Sequence, residues 1–122
     1  MLMRMAAKDE LGKRGERLAE AHLLARGYRL VERNWRCRHG EIDLVVRDDD
    51  ALVFVEVKTR SSTAFGHPFE AITPLKLARL RRLAGVWCAA HPEQRGRIRI
   101  DAVAVLAPRG AEPVVEHLVG VF

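Results

Sequence analysis

The stretch that most constrains the fold is the run Ala-Leu-Val-Phe-Val-Glu-Val-Lys at residues 51–58. Side chains alternate between the two faces of a strand, so Val53 and Val55 share one face while Leu52 and Phe54 share the other. Both faces are therefore apolar almost to the end of the run. A strand of this kind is stable where both of its faces are covered. We expect it to lie inside a sheet that has helices on both sides.

The segments around this strand predict the element order α-β-β-β-α-β, followed by a short C-terminal edge strand. Apolar residues at three- and four-residue spacing predict one helix over residues 8–26 and a second over residues 74–91, with Thr73 as its N-cap. A helix between the third and fourth strands makes those two strands parallel, whereas short turns make the first three an antiparallel meander. The sequence thus predicts an α/β fold with a mixed central sheet flanked by helices. The segments with strand-like composition are 28–35, 41–46, 51–59, 97–106 and 114–121.

Length and composition indicate one domain. The chain has 122 residues, and no repeat or linker divides it, so residues 1–122 are interpreted as a single domain with a flexible N-terminus at 1–7. No apolar run approaches the roughly 20 residues of a spanning helix, and the first residues lack the apolar region of a signal peptide. We therefore expect no membrane association and a cytoplasmic location. Cys37 and Cys88 lack metal-ligand spacing and are expected to be reduced.

The charge balance is basic and unevenly distributed. The chain carries 21 Lys and Arg against 16 Asp and Glu, a net charge of +5. No acidic residue occurs from 71 to 92, and a second basic stretch surrounds Trp35. Such stretches favour a polyanionic partner, but they are equally typical of a solvated basic face, so charge alone leaves both readings open. The first stretch contains Lys76, Arg79, Arg81 and Arg82, and the second contains Arg29, Arg33, Arg36 and Arg38.

Three charged residues interrupt the apolar strands. Glu56 and Lys58 emerge on the same face of the third strand, and Asp43 interrupts the second strand. If these strands pair through the turn at 48–50, residues whose numbers sum to about 98 or 99 face each other, so Asp43 lies opposite Val55 or Glu56. Two converging carboxylates repel each other unless a cation lies between them, and oxygen ligands suit Mg²⁺ or Mn²⁺. The pattern predicts a metal site.

Lys58 fits the chemistry of such a site. Most of the basic residues are Arg, so a Lys at this position indicates a need for a compact cation. A lysine there can orient an attacking water or stabilise the charge that develops during phosphoryl transfer. The alternative from the residues alone is a structural salt bridge between Glu56 and Lys58 at the strand end.

Two sequence blocks resemble a known nuclease signature. GEIDLV at 40–45 followed by VEVKTR at 55–60 is similar to the PD-(D/E)xK motif, with Ile42 in place of the motif's proline. From about residue 12 to the end, the chain more closely resembles the YraN-like family of bacterial predicted endonucleases, which are distantly similar to archaeal Holliday junction resolvases. The likeness also includes the segments 15–16, 27–28, 33–38, 74–76 and 99–105.

The resemblance implies a restriction-endonuclease-like αβββαβ core and assigns roles to residues. Asp43 and Glu56 match the metal-binding acids, the Val57 carbonyl matches a main-chain metal ligand, and Lys58 matches the catalytic lysine. Glu16 falls where related resolvases carry an acid near the metal, and a basic residue at position 76 supports the site. The residues expected to hold the nucleic-acid backbone are Arg36, Arg38, Arg60, Lys76, Arg79 and Arg82.

The expected function is a Mg²⁺- or Mn²⁺-dependent endonuclease that hydrolyses phosphodiester bonds in DNA, with branched or distorted structures as candidate substrates. Two alternatives stay open: a nucleic-acid-binding protein that keeps the fold without catalysis, and a protein-interaction subunit. The sequence does not distinguish DNA from RNA or a monomer from a homodimer. Asp101, within an otherwise apolar strand, is expected to bond to a neighbouring backbone group or arginine rather than to a metal, and Trp87 is expected in the core.

Overall fold

The computed structural model describes residues 2–64 and 66–122, with side chains from residue 6 onward. Two α-helices, a short 3-10 helix and five strands make up these residues. The helices are α1 (Leu2–Ala25), the 3-10 helix (Pro68–Ala71) and α2 (Pro74–Ala90). The strands are β1 (Arg29–Cys37), β2 (Gly40–Asp48), β3 (Ala51–Arg60), β4 (Arg97–Leu106) and β5 (Val114–Leu118).

The strands form one open sheet in the order β1-β2-β3-β4-β5. β3 and β4 are parallel, and every other neighbouring pair is antiparallel. Leu44 faces Val55, so residue numbers across β2 and β3 sum to 99, one of the two predicted registers. The predicted mixed α/β architecture is confirmed.

Both faces of β3 are covered, as its two-sided apolar pattern predicts. Leu23 of α1 packs against Val53 and Val55 on one face. Trp87 of α2 packs against Phe54 on the other, and all five side chains are fully buried. Burying a side chain of this size contributes about 1.5–3 kcal/mol, so the two helix faces hold the sheet between them.

The start of α2 is fixed by its cap. Thr73 Oγ1 accepts a hydrogen bond from the Lys76 amide at 3.2 Å, and Pro74 takes the first helical position. This is the predicted start, because a proline there loses no helical hydrogen bond. The cap places Lys76 and Arg79 in the first two turns, at the end of the sheet where the charged residues of β3 lie.

Two element ends differ from the prediction by three residues or more, and the others agree within two residues. α1 begins at Leu2 rather than near residue 8; residue 1 lies outside the described part of the chain, and the flexibility of 1–7 stays a prediction. β5 ends at Leu118 rather than at 121 because Gly120 has φ +63 and its amide donates to Asp101. Among the described residues, no helix has the length and apolar character needed to cross a membrane.

Candidate metal and catalytic site

The regular pairing of β2 and β3 stops beside Asp43. The last pair of the ladder is Leu44 with Val55, and beyond it the Val57 amide donates to Asp43 Oδ2 at 2.9 Å. The alternation of side chains between the two faces of β2 also breaks here, since Ile42 packs on the α2 side of the sheet and Leu44 packs on the α1 side. Strict alternation would place both on one side. The Asp43 carboxylate therefore lies against the end of β3.

Glu56 lies close enough to Asp43 to disfavour the charged form of the Asp43 carboxylate. The pKa of Asp43 is raised to about 8, first by burial and then by the Glu56 carboxylate, while the Val57 amide opposes the rise. Burial also raises the pKa of Glu56, against the nearby charges of Lys76 and Arg79. A cation bound between the two carboxylates would stabilise their charged forms.

The donor set fits a hard divalent cation. In the described part of the chain, neither Asp43 nor Glu56 forms an ion pair within 4.0 Å. The same residues contain no group of three or more His, Cys, Asp or Glu side chains that could hold a metal. The ligand set predicted from the sequence, two carboxylates and the Val57 carbonyl, would suit Mg²⁺ or Mn²⁺, because these ions take oxygen ligands and keep several waters.

Lys58 is half-buried at the same strand end. Burial lowers its pKa, and the charges of Arg60, Lys76 and Lys8 lower it further, whereas Glu56 opposes the shift. The ammonium is thus crowded by cations. Among the described residues Lys58 and Glu56 do not pair within 4.0 Å, so the structural salt bridge that the sequence allowed is not observed.

Glu16 of α1 also reaches this region. Its charge contributes to the raised pKa of Asp43, and its Oε1 accepts a hydrogen bond from Asn34 Nδ2 at 2.8 Å. Asn34 was not predicted to take part in the site. It has φ +52, a left-handed conformation that Asn tolerates better than most residues, which is the one signal the sequence offered. Asn34 thus holds a third carboxylate near Asp43.

The predicted nucleic-acid-binding residues divide into two groups. Lys76, Arg79 and Arg60 lie next to the site, because their positive charges lower the pKa of Glu56 or of Lys58. Lys76 Nζ also donates to the Ala71 carbonyl at 2.9 Å. The second group lies farther along the surface: Arg36 pairs with Glu41 at 3.0 Å, Arg82 lines a groove with Arg79 and His39, and Arg38 is exposed in the β1–β2 turn.

A tight contact positions α1 over this end of β3. A Cβ added to Gly15 would overlap the Thr59 hydroxyl and lie 2.7 Å from Thr59 Cβ, which no side-chain rotation can relieve. We expect Gly15→Ala to lower the free energy of unfolding by about 1–3 kcal/mol. Gly12→Ala is the matched control, since nothing lies within 4 Å of its Cβ. It should raise stability by about 0.5–1 kcal/mol through helix propensity. Urea unfolding tests the pair, and stabilisation by both variants would contradict the contact.

Comparisons with known proteins assign the chain to a family. The profile of the Uncharacterised protein family UPF0102 matches residues 15–105. The chain belongs to the UPF0102 family. A UPF0102 protein of Clavibacter michiganensis is 59% identical over 112 residues, which cover 92% of this chain and 95% of that protein. A UPF0102 protein of Beutenbergia cavernae is 62% identical over 117 residues, covering 96% and 99%, respectively.

The part of the chain that matches the UPF0102 profile spans the site. It begins at Gly15, beside Glu16, and extends through Asp43, Glu56 and Lys58 to β4. The first half of α1 and all of β5 lie outside the match. Whatever chemistry this UPF0102 chain performs, the convergent carboxylates belong to its family-matching part.

Proposed function

We propose that the protein is a Mg²⁺- or Mn²⁺-dependent endonuclease that hydrolyses phosphodiester bonds in DNA on a restriction-endonuclease-like core. The observation that carries the proposal is the convergence of Asp43 and Glu56 at the end of β3, beside Lys58. The αβββαβ order and the mixed sheet support the assignment of the core. The resemblance to junction resolvases makes branched DNA the first substrate to test.

Each residue of the site has a distinct role in this proposal. Asp43, Glu56 and the Val57 carbonyl hold the cation, and Glu16 adds negative charge near Asp43. When bound, the cation supplies Lewis-acid activation and neutralises charge on the phosphate. Lys58 orients the attacking water and stabilises the negative charge that develops on the phosphate oxygens. Because the charges of nearby cations disfavour the Lys58 ammonium in the free protein, an incoming phosphate provides it with an oppositely charged partner.

The neighbouring cations bind the substrate backbone. Lys76 and Arg79 lie on the Glu56 side of the site, and Arg60 lies on the Lys58 side. Contacts of this kind position a nucleic acid without reading its sequence. Arg82, which lines a groove with Arg79, and the exposed Arg36 and Arg38 are further backbone contacts in this proposal.

A cleavage panel tests the proposal. Labelled duplex, single strand, flap, four-way junction and RNA are incubated with the protein in Mn²⁺, with Lys58→Ala alongside wild type. We expect cleavage by wild type and loss of cleavage in the variant. Equal cleavage by both proteins would contradict the site. Binding by both without cleavage would favour a non-catalytic nucleic-acid-binding protein, and absence of binding would favour a protein-interaction subunit.

The raised pKa of Asp43 predicts an unusual dependence of stability on pH. Folding takes up a proton at this carboxyl between its ordinary pKa of 3.8 and about 8. Its contribution to the stability of the metal-free protein is therefore full below the ordinary value and falls as pH rises through about 8. Asp43→Asn keeps an acceptor for the Val57 amide but has no charge. We expect this variant to exceed wild type in free energy of unfolding by about 2 kcal/mol at pH 9.

Urea unfolding at pH 5, 7 and 9 in a chelator measures this difference. Parallel pH profiles for the two proteins would contradict it. Added Mn²⁺ reverses the order, because the cation binds only the deprotonated carboxylate and stabilises the folded state by mass action. Mn²⁺ should therefore stabilise wild type more at pH 9 than at pH 6 and leave Asp43→Asn nearly unchanged.

A further inference from the structure

A second basic surface lies on α1. An open groove of about 780 Å³ runs between the first half of this helix and the chain that follows β3 and β4. We call it the α1 groove. It contains five cationic side chains and one carboxylate, that of Glu10. The cations are Lys8, Lys13, Arg14, Arg17 and Arg109.

The charge of the α1 groove is not neutralised within the protein. All five cations are exposed, and in the described residues none of them forms an ion pair within 4.0 Å. Other arginines of the same fold are paired: Arg33 with Glu20 at 2.9 Å and Arg36 with Glu41 at 3.0 Å. Clustered unpaired cations repel one another and attract a polyanion.

The α1 groove is continuous with the candidate site. Ser61, which lines the groove, directly follows Arg60 at the end of β3. Lys8, which also lines it, is close enough to Lys58 for its positive charge to lower the pKa of Lys58. α1 and α2 cover opposite faces of the sheet, so this groove and the basic residues of α2 lie on opposite sides of β3. Asp43 and Glu56 lie at the strand ends between two basic surfaces.

We propose that the α1 groove binds the sugar–phosphate backbone of a second DNA segment while the α2 surface holds the first. The proposal rests on the proposed function and names its substrate more closely. From residue 8 to residue 17, α1 rises about 14 Å, a length that spans two to three phosphates of one strand. A straight duplex that lies along one of these two faces does not reach along the other. The protein therefore favours DNA that bends or branches at the site.

Charge reversal in the α1 groove tests this inference. The variant is Arg14→Glu/Arg17→Glu, and its control is Arg95→Glu, an exposed arginine just before β4 at the opposite end of the strands. Binding of a four-way junction and of a straight duplex is measured by fluorescence anisotropy in a chelator, so that cleavage plays no part. Each lost phosphate contact reduces the slope of log affinity against log salt by about 0.9.

We expect the double variant to bind the junction at least about tenfold more weakly at 0.1 M salt and to bind duplex within about twofold of wild type. Circular dichroism confirms that α1 is intact. An unchanged junction affinity, a loss matched by Arg95→Glu, or an equal loss for both DNAs would overturn the proposal. Because the assay needs no cleavage, a wild-type protein that binds the junction but cuts nothing would refute the nuclease and leave the α1 groove standing.

Discussion

Glu56→Gln is expected to reduce metal-dependent DNA cleavage by about 10³-fold or more, because losing a metal-binding carboxylate removes roughly 4 kcal/mol of transition-state stabilisation. DNA affinity should stay the same or rise, since one negative charge that repels phosphate is gone. The metal-free variant should be at least as stable as wild type, because burial already raises the pKa of Glu56 and so disfavours its charge. A loss of activity without a loss of folding thus separates a site residue from a structural one.

The measurement is a single-turnover cleavage rate in Mn²⁺ with the DNA that wild type cuts best. Glu93→Gln is the control, since Glu93 is exposed in the loop between α2 and β4 and loses the same charge. Wild-type rates in Glu56→Gln, or equal losses in both variants, would show that the carboxylate does not hold the metal.

Asp101→Ala is expected to lower the free energy of unfolding by about 3–5 kcal/mol, the loss typical of breaking a buried ion pair. Asp101 is fully buried. Its Oδ1 accepts from Arg99 Nε at 3.0 Å and from the Gly120 amide at 2.9 Å. Its Oδ2 accepts from Arg99 Nη2 at 3.0 Å and is 2.7 Å from His117 Nε2. Removing the carboxylate takes this acceptor away from polar groups on three residues, Arg99, Gly120 and His117.

Urea unfolding at pH 7 measures this loss. The control is Asp50→Ala, because Asp50 makes an exposed pair with Arg97 at 3.8 Å, and such a pair contributes under about 1 kcal/mol. Equal effects of the two substitutions would refute the buried network. Burial alone would raise the pKa of Asp101, but the hydrogen bonds from His117 and Arg99 outweigh it and hold the pKa below its ordinary value. This contribution is therefore present above pH 3.8 and lost as pH falls through the lower, folded value.

The fold followed from the sequence wherever one local pattern had one structural solution. The two-sided apolar run of β3 required cover on both faces, and the helix after it required a parallel β4. Asp101 bonds to an arginine and a backbone amide, as expected for a carboxylate in an apolar strand. Its partner His117 could not be predicted, because it comes from β5 across a pairing that the sequence did not specify.

The proximity of Asp43 and Glu56 was predictable from the sequence, but the contacts that they make were not. The strand register placed Asp43 near Glu56, yet the hydrogen bond from the Val57 amide to the Asp43 side chain depends on where the ladder stops. Asn34 escaped prediction for a related reason. Its role depends on a left-handed backbone and on Glu16, 18 residues earlier in α1, and neither appears in a strand pattern.

The hairpin that joins β2 to β3 has a consequence for how the molecule assembles. A tight turn at Asp49, with φ +51, connects the two strands, so their pairing, like that of β1 with β2, joins segments that are close in sequence. Contacts close in sequence form early because little chain entropy is lost in closing them. We therefore expect Asp43 and Glu56 to come together when the hairpin forms, before α2 and β4 pack against it. In this order of events the two carboxylates approach while water still screens their charges, and later packing steps remove the water.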